Sequence, residues 1–169
     1  SLTKDAQIED FITPYRAYIN KNLDSVLAYA PKTFSKKNGD LNTAIGNFMA
    51  DAVFEESQPV FKKRTGKSID FVLLNYGGIR SVISKGPITK RTAFKVMPFE
   101  NSVVVVALKG SKVLELANYL AMAKRAHPVS QQFKLVLDEN FDIANMSING
   151  SDVDEDLIYY IATNDYLYN

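Results

Sequence analysis

The sequence has no cysteine and a single histidine, His127. Without cysteine there is no disulfide frame and no thiolate metal site, a lack that is compatible with an oxidising compartment. One histidine cannot build a dinuclear phosphoesterase centre, which draws its nitrogen ligands from several histidines and its bridging oxygen from an aspartate. A serine or cysteine nucleophile with a histidine base is disfavoured too, because no nucleophile-elbow sequence is present. His127 lies in Ala126-His127-Pro128 and reads as an ordinary exposed loop histidine. Charge of one sign is also scarce. The net charge is +1, which points to neither a nucleic-acid binder nor an acidic tail. No apolar run approaches the length of a membrane span. No leader pattern is legible at the start, which is Ser1 and not methionine, and this leaves room for an upstream segment.

What is there is 169 residues of ordinary globular composition, enough for one domain with a sizeable core. The chain is organised around the stretch from Ile69 to Asn101. Ile69 to Leu74 is a short, nearly unbroken apolar run between Gly66 and Gly77-Gly78, which reads as a buried strand. That strand delivers Asn75, Tyr76, Gly77, Gly78 and Arg80 at its carboxyl end. Glycines there let a backbone turn or approach a ligand closely, and an arginine beside them offers a fork of donors to a carboxylate or phosphate. The plainer alternative is a strand, a glycine turn and a surface arginine.

Before that stretch, apolar residues from Ile8 to Leu23 fall at helical spacing within residues 5–23, predicting a helix with one buried stripe. Pro14 inside it predicts either a kink or a second helix restarting at Thr13-Pro14. Ser25 to Ala30 reads as a strand and residues 31–40 as loop. Asn42 or Thr43 caps a helix whose apolar face is Ile45, Phe48, Met49, Ala52 and Val53. Asn47 and Asp51 lie one turn apart on its other side and read as a polar helix face. A second short helix is expected over residues 58–66.

After the central strand, Gly86-Pro87 reads as a turn, Thr89 caps a short helix over Lys90 to Val96, and Pro98 ends it. Val103 to Leu108 is all apolar and predicts a strand buried on both faces. A helix begins at Gly110-Ser111. Phe133 to Leu137 and Ile143 to Ile148 form a hairpin, Asn149-Gly150 is a second turn signal, and Ile158 to Ala162 is a last strand. Strands separated by helices early and by hairpins late suit an α+β fold: a single domain with a mixed β-sheet flanked by helices.

Asn75 through Arg80, Gly86-Pro87-Ile88-Thr89 and Pro98-Phe99-Glu100-Asn101 resemble signature segments of the C-terminal domain of the 5′-nucleotidase family, which includes the UDP-sugar hydrolases. Ile45-Gly46-Asn47-Phe48-Met49-Ala50-Asp51-Ala52 is similar to that family's Gly-Asn-Leu-x-x-Asp-Ala helix. Ala162 to Asn169 is similar to the segment leading into its Gly-Gly-Asp-Gly motif. The segments come in the family's order and span the chain from about Asp24 onward. The division this implies is an N-terminal helical segment, residues 1–23, that is either a linker remnant or a helix packed on the core, and a substrate-binding domain, residues 24–169, cut before Gly-Gly-Asp.

The resemblance implies nucleotide or nucleoside recognition for a metal-dependent 5′-nucleotidase. Phe99 and Tyr166 would stack the base, Asn75 and Asn101 would hydrogen-bond to base or sugar, Arg80 would steady a phosphate oxygen, and Gly77 and Gly78 would allow close approach. No catalytic residue is expected in this chain. No cofactor is expected on it either: the divalent metals, Zn, Mn or similar, belong to a metallophosphatase domain or partner outside it. A periplasmic, cell-surface or secreted location is implied. The sequence departs from the family in three places. No arginine stands just before the Gly-Asn helix, where Lys36 or Lys37 could substitute; the loop 126–131 lacks the family's glycine; and Gly-Gly-Asp, whose aspartate holds the ribose, does not occur. A stand-alone nucleoside-binding module without catalysis, or a degenerate domain, is the alternative.

Overall fold

The computed structural model describes residues 6–169. Asp5, the first residue of the expected helical segment, and the rest of residues 1–5 lie outside the described residues. The chain forms two compact units. One takes the chain up to Thr33 together with Arg80–Pro98, and the other takes Phe34–Ile79 and Phe99–Asn169.

In the first unit, α1 (Ala6–Leu23) is one continuous helix with Pro14 inside it. Its apolar stripe is not buried: Ile8, Phe11, Tyr15, Tyr18 and Ile19 are all more than half exposed. Helical spacing fixes which face is apolar, not what lies against it. Strand β1 (Val26–Ala30) pairs antiparallel with β3 (Gly86–Thr89), Tyr29 opposite Pro87. Gly86-Pro87, expected as a turn, thus opens a strand; proline is tolerated there because a two-stranded ribbon has free edges. Thr89 caps α3 (Lys90–Val96) in a reciprocal capping box with Thr92. Arg91 on α3 bonds Asp24 at 2.7 Å and Asn20 at 2.8 Å, tying the first turn of α3 to the end of α1.

The second unit begins with α2 (Ala44–Thr65), capped by Thr43, whose hydroxyl accepts from the Gly46 amide. A single helix replaces the two expected, with Pro59 within it, and it stops at Gly66, whose φ of 73° suits glycine. The sheet has the order β2-β7-β4: β2 (Phe71–Val72) runs parallel to β7 (Ile158–Asn164), and β4 (Val103–Lys109) runs antiparallel to it. The sheet is therefore mixed, as expected. Helix α4 (Gly110–Ala123) follows β4, and β5 (Phe133–Leu137) pairs with β6 (Ile143–Ile148) as a separate hairpin. The four-residue helix α5 (Asp165–Tyr168) follows β7 directly.

Alternation along the strands explains the two layers of core. Phe71, Leu73, Tyr159 and Ile161 point to one face, with Val113, Ala117 and Leu120 of α4 and Phe133 and Ile148 of the hairpin. Phe71 stacks on Phe133 with ring centroids 4.6 Å apart. Val72, Leu74 and Ala162 point to the other face, with Ala50 of α2. The apolar residues of Ile69 to Leu74 are buried as expected. The run Val103 to Leu108 is not: β4 is an edge strand, and its residues are exposed or half-buried. No helix among the described residues is long and apolar enough to cross a membrane.

Candidate functional site

Because β2 and β7 are parallel, their carboxyl ends leave the sheet at the same edge, and antiparallel β4 enters there, with Val103 opposite Asn164. Ligands of α/β sheets bind outside such carboxyl ends. Three segments of the second unit meet at this edge. After β2 come Asn75 and a 3-10 turn, Tyr76–Gly78, closed by the Gly78 amide on the Asn75 carbonyl at 3.1 Å. Before β4 come Phe99 and Asn101. After β7 comes α5 with Tyr166. Asn164 joins two of the segments: its Nδ2 donates to Asn75 Oδ1 at 3.2 Å, while its Oδ1 accepts from the Leu167 amide and caps α5. The Asp165 amide donates to the Ser102 carbonyl at 3.0 Å and joins the third.

Phe99 is 42% exposed and Tyr166 69% exposed, so neither ring is core packing, and a burial role for Tyr166 is excluded. Asn101 and Gly77 are exposed, Asn75 is half-buried and Gly78 is buried. A side chain carbon added at Gly77 would meet only Asn75 Nδ2, at 3.8 Å. Arg80 belongs to the first unit, where its amide donates to the Val96 carbonyl at 2.8 Å. The fold thus gathers Asn75, Gly77, Gly78, Phe99, Asn101 and Tyr166 at one sheet edge of one unit.

One residue of this edge was not singled out from the sequence. It is Asn164; an asparagine directly before a short polar-aromatic segment is a cap signal that could have drawn attention to it. Lys36, weighed from the sequence as a stand-in for the missing arginine, lies against Tyr76. Its Nζ lies 3.4 Å from the Tyr76 carbonyl and 4.2 Å from the centre of the Tyr76 ring.

A cavity of about 460 Å³ lies elsewhere in the same unit, between the start of α2, the loop 125–131 and β5. Asn42, Asn47, Asp51, Arg125 and His127 give it a polar rim and Phe133 part of an apolar floor; its described lining includes none of the residues gathered at the sheet edge. Asp51 is more than a polar helix face, since Oδ1 accepts from the Gln131 amide at 2.8 Å and pins the loop to α2. His127 is half-buried and not the exposed loop residue expected. The Leu74 amide donates to the Pro128 carbonyl and Ser130 Oγ accepts from the Val72 amide at 2.9 Å, so this loop lies along β2, with one antiparallel bridge from Val129 to Leu73, and carries His127 inward. Burial pushes the His127 imidazole below its ordinary value, with the charge of Arg125 adding and a hydrogen bond with the Leu74 backbone opposing.

The donor chemistry of the chain does not fit the metal pair that the family resemblance attaches to catalysis. Cysteine is absent and His127 is alone, and among the described residues no three histidine or acidic side chains are grouped to hold a metal ion.

The profile described as "5′-nucleotidase, C-terminal domain" matches residues 25–169. A 5′-nucleotidase of Vibrio parahaemolyticus is 29% identical over 126 residues, covering 71% of this chain and 20% of that protein. The cell wall protein Lmo0130 of Listeria monocytogenes is 26% identical over 184 residues, covering 99% of this chain and 22% of that protein. The chain thus spans about a fifth of the length of these relatives. The crystal structure of a 5′-nucleotidase precursor from Thermus thermophilus superimposes with a TM-score of 0.74 at 21% identity, over 98% of this chain and 34% of the other; at that identity the match speaks for the fold. A profile match running over nearly the whole described chain, on a fold shared with that structure, makes this chain a member of the 5′-nucleotidase C-terminal domain family.

Proposed function

We propose that this chain is the nucleotide-recognition domain of a metal-dependent 5′-nucleotidase that hydrolyses nucleoside 5′-phosphates or UDP-sugars. Phe99 and Tyr166 stack the base, Asn75 and Asn101 hydrogen-bond to base or sugar, and Gly77 and Gly78 let the ligand come close to the backbone. The metal-bearing domain that breaks the phosphate ester lies outside these residues. Holding the nucleoside far from the reacting phosphorus lowers the barrier when the grip also fixes orientation.

The observation that carries this reading is the pair of exposed rings on segments that leave one sheet edge, with amides and an open glycine among them. Exposed aromatics are costly to leave in water, and a base offers them a flat π-face. Arg80 is left out of the reading because it belongs to the first unit. A cell-surface or secreted location is part of the proposal and is supported by the name of the Listeria relative.

Titrating adenosine into the chain tests the reading. Stacking on one aromatic contributes about 1–3 kcal/mol, so Phe99→Ala should weaken adenosine binding by about five- to 150-fold. Affinity unchanged by that substitution would remove Phe99 from the site.

A further inference from the structure

We infer that Asn164 is a positioning residue that sets the polarity of the candidate site: it holds the Asn75 carboxamide with its NH2 toward the ligand, so that the group met there is a hydrogen-bond acceptor. The inference deepens the nucleotide-recognition reading and rests on it.

The two ends of a carboxamide are alike in shape and opposite in chemistry, since the oxygen accepts and the nitrogen donates. Which end a site asparagine offers is therefore decided by what holds the other end. Here the chain of bonds starts at a group with no choice. The Leu167 backbone amide can only donate, and it donates to Asn164 at 3.0 Å, so the end of Asn164 at that amide is its oxygen. Its nitrogen is thereby turned the other way, where it donates to Asn75 Oδ1 at 3.2 Å. Asn164 is only 5% exposed. Turning its carboxamide over would set nitrogen against the Leu167 N–H and leave a buried donor unpaired, which is costly.

With the oxygen of Asn75 engaged, its nitrogen is the end left over. Among the described residues nothing accepts from that nitrogen. It is also the atom that borders the open space over Gly77, 3.8 Å from where a side-chain carbon would sit. Asn75 is half-buried and shares its sheet edge with Phe99 and Tyr166. The same Asn164 caps α5, the helix that carries Tyr166. One buried side chain thus orders a ring-bearing helix and aims a donor at the same time. The part of the ligand that meets Asn75 is an unprotonated ring nitrogen, a carbonyl or a sugar oxygen. An amino group or a ring N–H placed there is rejected, because it would set donor against donor.

The test titrates adenosine into the full chain and into Asn164→Asp and Asn164→Ala, with the thermal midpoint of the free chain measured alongside. Aspartate keeps the oxygen that caps α5 but turns a second oxygen toward Asn75. The Asn75 carboxamide then rotates to donate to it and offers its own oxygen to the ligand. Asn164→Asp should therefore weaken adenosine binding about ten-fold with the midpoint unchanged, and adding Asn75→Ala should cause no further loss. In side-chain amide NMR the Asn75 NH2 protons should exchange freely in the wild type and become protected in Asn164→Asp. Asn164→Ala also removes the cap and should lower the midpoint. A merely structural Asn164 predicts instead that affinity is kept wherever the midpoint is kept. If Asn164→Asp binds adenosine as the wild type does, or if the Asn75 NH2 is already protected in the wild type, the inference is wrong while the nucleoside reading stands. Wild-type chain that binds no adenosine overturns that reading, and the inference falls with it.

Discussion

His127 and Asp70 are half-buried ionisable groups whose shifts have opposite consequences for stability. Burial holds the His127 imidazole below its ordinary value of 6.5, so the folded chain keeps it neutral where the unfolded chain takes up a proton. The stabilisation is complete above that value and is lost as pH falls through it. Asp70 accepts from the Tyr160 amide at 2.6 Å, but burial outweighs that bond and raises the carboxyl above its ordinary 3.8. The folded chain therefore holds this proton longer, and stability decreases as pH rises through the window just above 3.8. The two contributions slope in opposite directions. Urea midpoints measured from about pH 7.5 down to about pH 5 should carry a falling limb set by His127, and His127→Asn should flatten that limb. Asp70→Asn should remove the opposite slope that begins above pH 3.8. A flat wild-type profile across this range would show that His127 is not held neutral. Nothing in the local residues hints at this burial, because a histidine before proline is ordinary loop chemistry; what draws it inward is the pairing of residues 128–130 with β2.

Among the secondary-structure elements, α4 shows how a close backbone approach replaces a cap. Lys109 offers no side-chain cap, and the first helical amides instead donate to the segment before β7: Gly110 to the Leu157 carbonyl at 2.9 Å and Ser111 to the Glu155 carbonyl at 3.1 Å. That arrangement brings the Asp154 carbonyl so near that a carbon added at Gly110 would lie 1.9 Å from its oxygen. Since the obstacle is backbone, it cannot swing aside as a side chain would. Gly110→Ala should therefore cost about 3 kcal/mol, the upper end of overpacking, whereas Gly66→Ala, whose site is sterically open but left-handed, should cost about 1 kcal/mol. Denaturant unfolding of both variants checks the ranking, and equal losses would contradict it. Elements whose signals are local were legible: the Thr43 and Thr89 caps, the Gly66 stop, the Asn149-Gly150 turn with both residues at positive φ, and the hairpin of β5 and β6. Features that depend on partners were not. Val103 to Leu108 reads as a central strand, but β7 takes the centre and leaves β4 on the edge. Pro14 reads as a kink or a restart and residues 58–66 as a separate helix, yet α1 runs on through Pro14 and α2 through Pro59. At the candidate site, the segments carrying Asn75, Phe99 and Tyr166 were visible in sequence, whereas their meeting follows from strand order, and Asn164 as the link between two of them follows from register.

Over the whole molecule, burial is unequally shared, and this makes a prediction about which parts open first. The second unit has two apolar layers about its sheet, with Phe71, Val72, Ile45 and Val113 fully enclosed. Among the described residues of the first unit the deeply buried apolar ones are Ala30, Ile83 and Val96. Its α1 leaves most of its apolar stripe in water, and an isolated helix of this length is marginal because nucleation is costly and propagation gains little. The ion pairs Arg16 with Glu9, on α1, and Arg91 with Asp24, from α3 to the residue after α1, are solvent-exposed and so offset little of that deficit. Protection against hydrogen exchange tracks buried contacts, because sparsely packed segments open by local fluctuations while core strands exchange only through global unfolding. Amides of α1 should consequently exchange orders of magnitude faster than those of β7 and α4, with α3, held by its capping box, between them. Binding of AMP should slow exchange in the 3-10 turn and in α5, where the proposed ligand contacts lie, and leave the α1 rates as they are. Slow exchange throughout α1 in the free chain would mean that its apolar stripe is covered in solution.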